Sequence, residues 1–292
     1  MASHQFTLGD FTCRVIVDGA LPYPHPAQTL FPQRSPAELA AALRPYQLAP
    51  ERWSEQVLPN LCLLVDTGQQ RVLIDTGSGL VSPKVGHLLA HLRALGLTPA
   101  DIDVVVLSHA HADHSGGAVD SQGAPAFPKA RYYLAADEWH FWIEQPDLSP
   151  LPLPEPVKQK ISTLARKHLL PLRRQVTLVA DGDEVAPGLH VQLAPGHTPG
   201  HMALAIRSRG QEMLYLGDLV LHPLHIAQPT WVPTVDLLPA ASVQSRQRLL
   251  AQAATHKTLV QLYHFSFPGL GYIAQTTTGW QWQALATWPL YQ

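Results

Sequence analysis

The stretch Val104-Val105-Val106-Leu107-Ser108-His109-Ala110-His111-Ala112-Asp113-His114-Ser115-Gly116-Gly117 passes from an apolar, β-branched run to three histidines and a carboxylate within six positions. The run reads as a buried strand, and the polar residues after it as a turn leaving the strand's end. Neutral imidazoles and a hard carboxylate suit zinc and similar divalent ions. Histidine alone is a weak signal in a chain that has 16 of them. Here two small alanines separate the donors, Gly116 and Gly117 allow close backbone approach, and the strand sets the origin of the turn. The stretch is therefore read as a metal-binding loop.

The remaining composition narrows the classes of protein. With 292 residues the chain is long enough for one large core, and residues 1–292 are taken as a single domain. Net charge is −2 and only 14% of residues are charged, with no block of Lys or Arg that would follow a phosphate backbone. Nucleic acid is thus not expected as a partner. Cys13 and Cys62 are the only cysteines, so any metal must be held by His and carboxylate. The opening residues lack the charged and apolar regions of a signal peptide, and no apolar run reaches the length of a membrane span; a soluble cytoplasmic protein is the expectation.

Working outward from the loop, short β-patterned runs recur at 11–17, 61–66, 71–75, 103–107, 131–134, 176–179, 189–193, 202–207 and 212–216. Helical patterns cover 84–95, 136–144, 157–169 and 240–253. Tight turns at Asp66-Thr67-Gly68 and Arg207-Ser208-Arg209-Gly210 alternate with strand-helix units, which predicts mixed sheets covered by helices. Two proline-dense segments look like surface additions: residues 19–59, with a short helical piece over 37–43, and residues 145–156. Three more polar positions follow strand-like runs: Gly196-His197-Thr198-Pro199-Gly200-His201, Gly217-Asp218, and Tyr263-His264-Phe265.

Taken together, His109-x-His111-x-Asp113-His114, Gly196-His197, Gly217-Asp218, His264 and the upstream Val72-Leu73-Ile74-Asp75-Thr76-Gly77 resemble the metallo-β-lactamase superfamily over about residues 57–275. The resemblance implies an α/β, four-layer αββα sandwich with two metal ions at one edge of its sheets. It assigns His109, His111 and His197 to the first ion, Asp113, His114 and His264 to the second, and Asp218 to both. Zinc is expected, with iron, manganese, cobalt and nickel also compatible with such donors. Two ions bridged by one carboxylate can share a water and lower its pKa, so a bridging hydroxide is the expected nucleophile, attacking a carbonyl or phosphoryl centre. Asp113 is expected to guide a proton to the leaving group. Asp75 and His201 are expected to support ligands rather than to bind metal.

The later part of the chain resembles the branch containing methyl parathion hydrolase and related lactonases. The spacings agree in kind: 83 residues from His114 to His197, 21 on to Asp218 and 46 to His264. That resemblance implies a hydrolase of lactones, esters or phosphotriesters (organophosphates), acting on small molecules and assembling as a homodimer. Many lactonases of the superfamily carry a tyrosine three positions after the bridging aspartate; here Leu221 stands there, which favours a promiscuous or phosphotriesterase-leaning site. Leu221, Trp231, Phe267, Trp139 and Trp142 are the candidate pocket residues. A thioester hydrolase of the glyoxalase II type and a non-hydrolytic, redox di-iron protein are the alternatives.

Overall fold

The computed structural model describes residues 3–22, 25–44, 57–79, 81–144, 146–277 and 279–285. Its strands form two seven-stranded sheets in which every strand lies beside its sequence neighbour. The first sheet contains β1 (Ser3–Leu8), β2 (Phe11–Pro22), β3 (Val57–Asp66), β4 (Arg71–Ile74), β5 (Val104–Val106), β6 (Arg131–Ala135) and β7 (Val176–Val179). It is antiparallel from β1 to β4 and parallel from β4 to β7. The second contains β8 (Glu184–Ala186), β9 (Leu189–Leu193), β10 (Met202–Ser208), β11 (Gln211–Tyr215), β12 (Leu259–Gln261), β13 (Leu270–Thr276) and β14 (Gly279–Ala284), antiparallel except for the β11–β12 pair.

Alternation of side chains across the strands builds the layers. On β10, Met202, Leu204 and Ile206 join the large core shared with the first sheet, while Ala203 and Ala205 turn to the opposite face. There they meet Leu249, Leu250 and Ala253 of a long helix, Pro239–His256, as period-two geometry requires. The helices, numbered in chain order, are α1 (Pro26–Leu30), α2 (Pro36–Leu43), α3 (Leu88–Ala94), α4 (Ala112–Ser115), α5 (Ala136–Ile143), α6 (Glu155–Leu169), α7 (Pro223–Ala227) and α8 (Pro239–His256). Buried Leu88 and Leu92 of α3, Trp142 of α5 and Ala165 and Leu169 of α6 attach those helices to the main core. The expected sandwich of mixed sheets and flanking helices is therefore the observed one.

Two expectations change. The helix expected over 84–95 begins only at Leu88, because Asp18, at the register shift within β2, takes its leading amides: Gly86 N and Leu88 N donate to the Asp18 carboxylate at 3.1 Å each, and His87 N to the Asp18 carbonyl at 2.8 Å. The 19–59 segment is not simply laid on the surface. Residues 19–22 complete β2 and 57–59 open β3, while Leu30, Phe31, Leu39 and Leu43 are buried against Leu221 and Leu224. Apolar residues on and just beyond α1 and on α2 thus find apolar partners in Leu221 and in Leu224 of α7. Residues 45–56 lie outside the described residues.

The glycine pair after the histidines is dictated by close approach. A Cβ on Gly117 would stand 2.1 Å from the Thr76 carbonyl oxygen, and one on Gly116 2.2 Å from that of Ser78. Gly117→Ala must push the 76–79 turn away from the chain that carries His114, an overpacking expected to destabilise by about 1–3 kcal/mol. Urea unfolding of the variant measures this, and an unchanged midpoint would show that the two segments do not press on one another.

Candidate metal centre

Each of the seven candidate donors sits just beyond a strand end. His109 and His111 follow β5, and Asp113 and His114 ride on α4, a single helical turn closed by amides of His114 and Ser115 donating to the His111 carbonyl at 3.0 and 2.9 Å. His197 lies in the turn between β9 and β10, Asp218 in the turn after β11, and His264 just after β12. Three overlapping groups result: His109, His111 and His197; His109, His114 and Asp218; Asp113, His114 and His264, the donor atoms within each lying within 4.8 Å of one another.

The two carboxylate oxygens of Asp218 face different ways. Oδ2 lies 3.4 Å from His197 Nε2 and 4.0 Å from His109 Nε2, whereas Oδ1 lies 3.1 Å from His114 Nε2 and 3.4 Å from His264 Nε2. Asp113 Oδ2 lies 3.3 Å from His264 Nε2. Five imidazoles and two carboxylates suit divalent ions, and the pattern of orphaned atoms agrees with that chemistry. His109 Nε2 is buried without a hydrogen-bond partner, and His114 Nε2 and Asp218 Oδ1, though 3.1 Å apart, make no well-aligned hydrogen bond, a condition native structures avoid unless the atom serves something else.

In four of the five histidines the nitrogen opposite the centre is engaged, whereas His111 turns Nδ1 inward to within 2.9 Å of His197 Nε2. His114 Nδ1 is 2.7 Å from Asp75 Oδ2, His197 Nδ1 is 2.9 Å from Asp236 Oδ1, and His264 Nδ1 donates to the Pro59 carbonyl at 3.0 Å. Ser108 Oγ donates to Asp75 Oδ2 at 2.7 Å and so accepts from His109 Nδ1 at 3.1 Å. In four histidines the outward Nδ1 is therefore the engaged nitrogen, and Nε2 is the one turned toward the centre. Burial, with the charges of His114 and His111 adding to it, holds the His109 imidazole well below its usual range and thus neutral. Burial alone would also depress His264, yet the Asp218 and Asp113 carboxylates outweigh it and lift the group to about 9.

The supporting residues divide into those expected and those not. Asp75, at φ 58°, accepts from Ser108 N and Ser108 Oγ at 2.7 Å each and from the Tyr215 hydroxyl at 2.5 Å, besides its contact with His114. His201 Nε2 accepts the Asp218 amide at 3.1 Å, and a Cβ on Gly217 (φ +50°) would stand 2.8 Å from that same nitrogen. Unforeseen was Glu138 of α5. Fully buried, it accepts from Ala110 N (2.9 Å), Trp142 Nε1 (2.7 Å), Thr198 Oγ1 (2.6 Å) and Gly200 N (3.0 Å), tying the His109–His111 turn to the His197 turn. Also unforeseen were Asp236, which holds His197, and His168, whose Nδ1 lies 3.0 Å from Ser115 Oγ. Their sequence signal is faint: polar residues at buried positions of otherwise amphipathic helices for Glu138 and His168, and none for Asp236.

The pocket expectations need correction. Trp142 is fully buried and spends its indole N–H on Glu138, its ring edge-on to His111 at 5.8 Å. Phe267 is fully buried in the main core, and Leu221 is buried against α1 and α2. In each case large apolar surface was drawn into a core cluster rather than left on a wall. Trp139 packs half-buried on the main core, and Trp231 keeps partial exposure beside Phe31, with the Arg34 guanidinium 5.0 Å above its ring.

The fold and the convergent donors define a class, the metal-binding αββα sandwiches. Residues 56–259 match the family model described as the metallo-beta-lactamase superfamily, and the chain belongs to that superfamily. Among solved structures, AidC, described as a dizinc quorum-quenching lactonase in complex with an N-hexanoyl-L-homoserine product, is 27% identical with a TM-score of 0.89, covering 99% of each chain. An N-acyl homoserine lactonase of Bacillus cereus is 26% identical over 180 residues, 54% of this chain and 62% of that protein. A probable metallo-hydrolase of Mycobacterium tuberculosis is 30% identical over 185 residues, 55% of this chain and 56% of that one. The matched region thus spans about three fifths of the curated relatives' length.

His168 supplies a pH test. Ser115 Oγ approaches the Ala110 and His111 carbonyls at 3.1 and 3.0 Å, so its single proton goes to a carbonyl and His168 donates to it as a neutral ring. Burial, helped by the charge of Lys167, lowers His168 to about 4. The unfolded chain therefore takes up a proton between about 6.5 and 4 that the folded chain refuses, and stability falls as pH falls through that window. Unfolding curves of the protein and of His168→Asn across that range are expected to converge toward pH 4; parallel curves would contradict the assignment.

Proposed function

We propose that this protein hydrolyses lactones and related carboxylic esters at a centre of two divalent ions, zinc first among them, with N-acyl homoserine lactones as the leading substrate class. The observation that carries the reading is Asp218, whose two oxygens face two separate histidine groups. His109, His111 and His197 with Oδ2 would hold one ion, and Asp113, His114 and His264 with Oδ1 the other. The dizinc lactonase that shares nearly the whole chain supports the choice of substrate. No helix among the described residues is long and apolar enough to cross a membrane, and the substrate is taken to be a small molecule met in water, the protein acting as a homodimer.

When bound, the ions supply Lewis acidity at the substrate carbonyl and lower the pKa of a water to give hydroxide near neutral pH. In the balanced reaction, water oxygen bonds to the carbonyl carbon, the ring C–O bond breaks, and the departing oxygen takes a proton to yield the hydroxy acid. We assign the transfer of that proton to Asp113. Its side chain is 36% exposed, where those of His114 and Asp218 are 0% and 5%, so its Oδ2 can exchange protons with solvent while bonded to His264. Asp75 and Asp236 keep the His114 and His197 rings turned inward throughout.

Leu221 stands where many lactonases place a phenol, and two other phenols of the site are occupied: Tyr215 donates to Asp75, and Tyr263 donates to the Asp113 carbonyl at 2.6 Å. Neither phenol is then free to assist at the carbonyl, and phosphotriesters stand as a second substrate class. Zinc-loaded protein is expected to cleave N-acyl homoserine lactones with kcat/KM above that for aryl esters, phosphotriesters and thioesters. Chelation should abolish turnover, and Asp218→Asn should lower it by more than about a hundredfold. Dominant phosphotriester or thioester turnover would overturn the lactone assignment, and iron with negligible hydrolysis would return the redox reading.

A further inference from the structure

Helix α8 buries a stripe of Ser242, Ser245, Arg246, Leu249, Leu250 and Ala253, apolar in its second half and polar in its first. Arg246 is fully buried, among the rarest conditions for a guanidinium. Its Nε donates to the Leu219 carbonyl at 2.8 Å and its Nη1 to the Pro229 and Trp231 carbonyls at 3.0 and 2.8 Å. Nη2 reaches Ser242 Oγ at 3.2 Å and Asp236 Oδ2 at 3.4 Å. Ser242 Oγ in turn donates to Asp236 Oδ2 at 2.5 Å, and the other oxygen of Asp236 meets His197 Nδ1 at 2.9 Å. One buried cation thus holds both the carboxylate that orients His197 and three carbonyls of the loop that begins after Asp218.

We propose that Arg246 and Asp236 are positioning residues that couple the ion site at His197 to the conformation of the 219–236 loop. The proposal rests on the di-metal reading of the centre. Replacing a buried ion pair by apolar side chains is often neutral or stabilising, so stability alone gives little reason for a guanidinium here. The fork geometry supplies a better one: five N–H donors in one plane can serve a carboxylate and several carbonyls together, which a lysine ammonium cannot. The loop carries Trp231, half-exposed beside Phe31, and Leu221, packed on α1 and α2. Whatever shifts the loop therefore pulls on the bond that keeps His197 facing the ion, and an ion on His197 holds the loop in place.

Asp236→Asn, Arg246→Lys and Arg246→Met separate the two functions. Zinc affinities measured by chelator competition, with circular dichroism and thermal unfolding of the metal-free forms, are expected to show Asp236→Asn weakening one of two ions by about 10- to 100-fold while the other is little changed. Arg246→Lys, which keeps a charge for Asp236 but loses the fork, should quicken limited proteolysis within 219–236 several-fold and, because the loosened segment pulls on Asp236, weaken the same ion by a smaller factor than Asp236→Asn does. Arg246→Met should show both effects; should it fail to fold, Asp236→Asn and Arg246→Lys still decide. Equal weakening of both ions, wild-type affinities in Asp236→Asn, or, in Arg246→Lys, either unchanged proteolysis or faster proteolysis with both affinities unchanged, would overturn the coupling. If the unaltered protein takes up no pair of ions, the di-metal reading falls and the coupling with it, whereas two ions bound normally by Asp236→Asn would overturn the coupling alone.

Discussion

Keeping buried lone pairs aimed at a common point is the constraint on which this molecule turns. Each unpartnered polar atom in a protein interior costs about 1–3 kcal/mol, and three lie together here at His109, His114 and Asp218. They stay turned toward one point because four of the rings are held from behind by partners of different origin: Asp75 after β4, Ser108 after β5, Pro59 on β3 and Asp236 ahead of α8. The outward bonds, and not the donors themselves, set the geometry at the centre.

Those outward partners need a stiff frame, and the frame explains the surrounding sequence. Gly116 and Gly117 press the histidine turn against the 76–78 backbone, so Asp75 and His114 stand at a fixed distance. Glu138 braces the two turns that carry His109, His111 and His197, and its four donors come from three separate chain segments. A carboxylate accepting that many hydrogen bonds in the interior has little freedom to move. Trp142, drawn into this network by its N–H, shows why an aromatic residue near a site need not line it.

The legible parts of the sequence were those with local signatures. The donor run after β5 announced itself by spacing, and His197, Asp218 and His264 by their places after apolar runs. Helices α5, α6 and α8 were visible through their periodicity within a few residues of their ends. The ribbon of β13 and β14 was not, because its exposed alternation of Gln, Thr and Trp carries little apolar contrast. Glu138, His168, Asp236 and Arg246 escaped for a different reason. Their partners lie far away along the chain, as with Glu138 and Gly200, and long-range hydrogen bonds leave no periodic trace. Leu221 and Phe267 were read as wall residues, but the competition for apolar burial was settled by α1, α2 and the main core, which no local pattern revealed.

The order of strands has a last consequence for how the molecule comes to be assembled. The first sheet ends at Val179 and the second begins at Glu184, and neither borrows a strand from the other. Each of the three donor groups takes two side chains from the first half of the chain and one from the second. Neither half alone therefore owns a complete group, so a full set of donors exists only where the two sheets have docked in register, and an ion bound there would join the two halves of the chain.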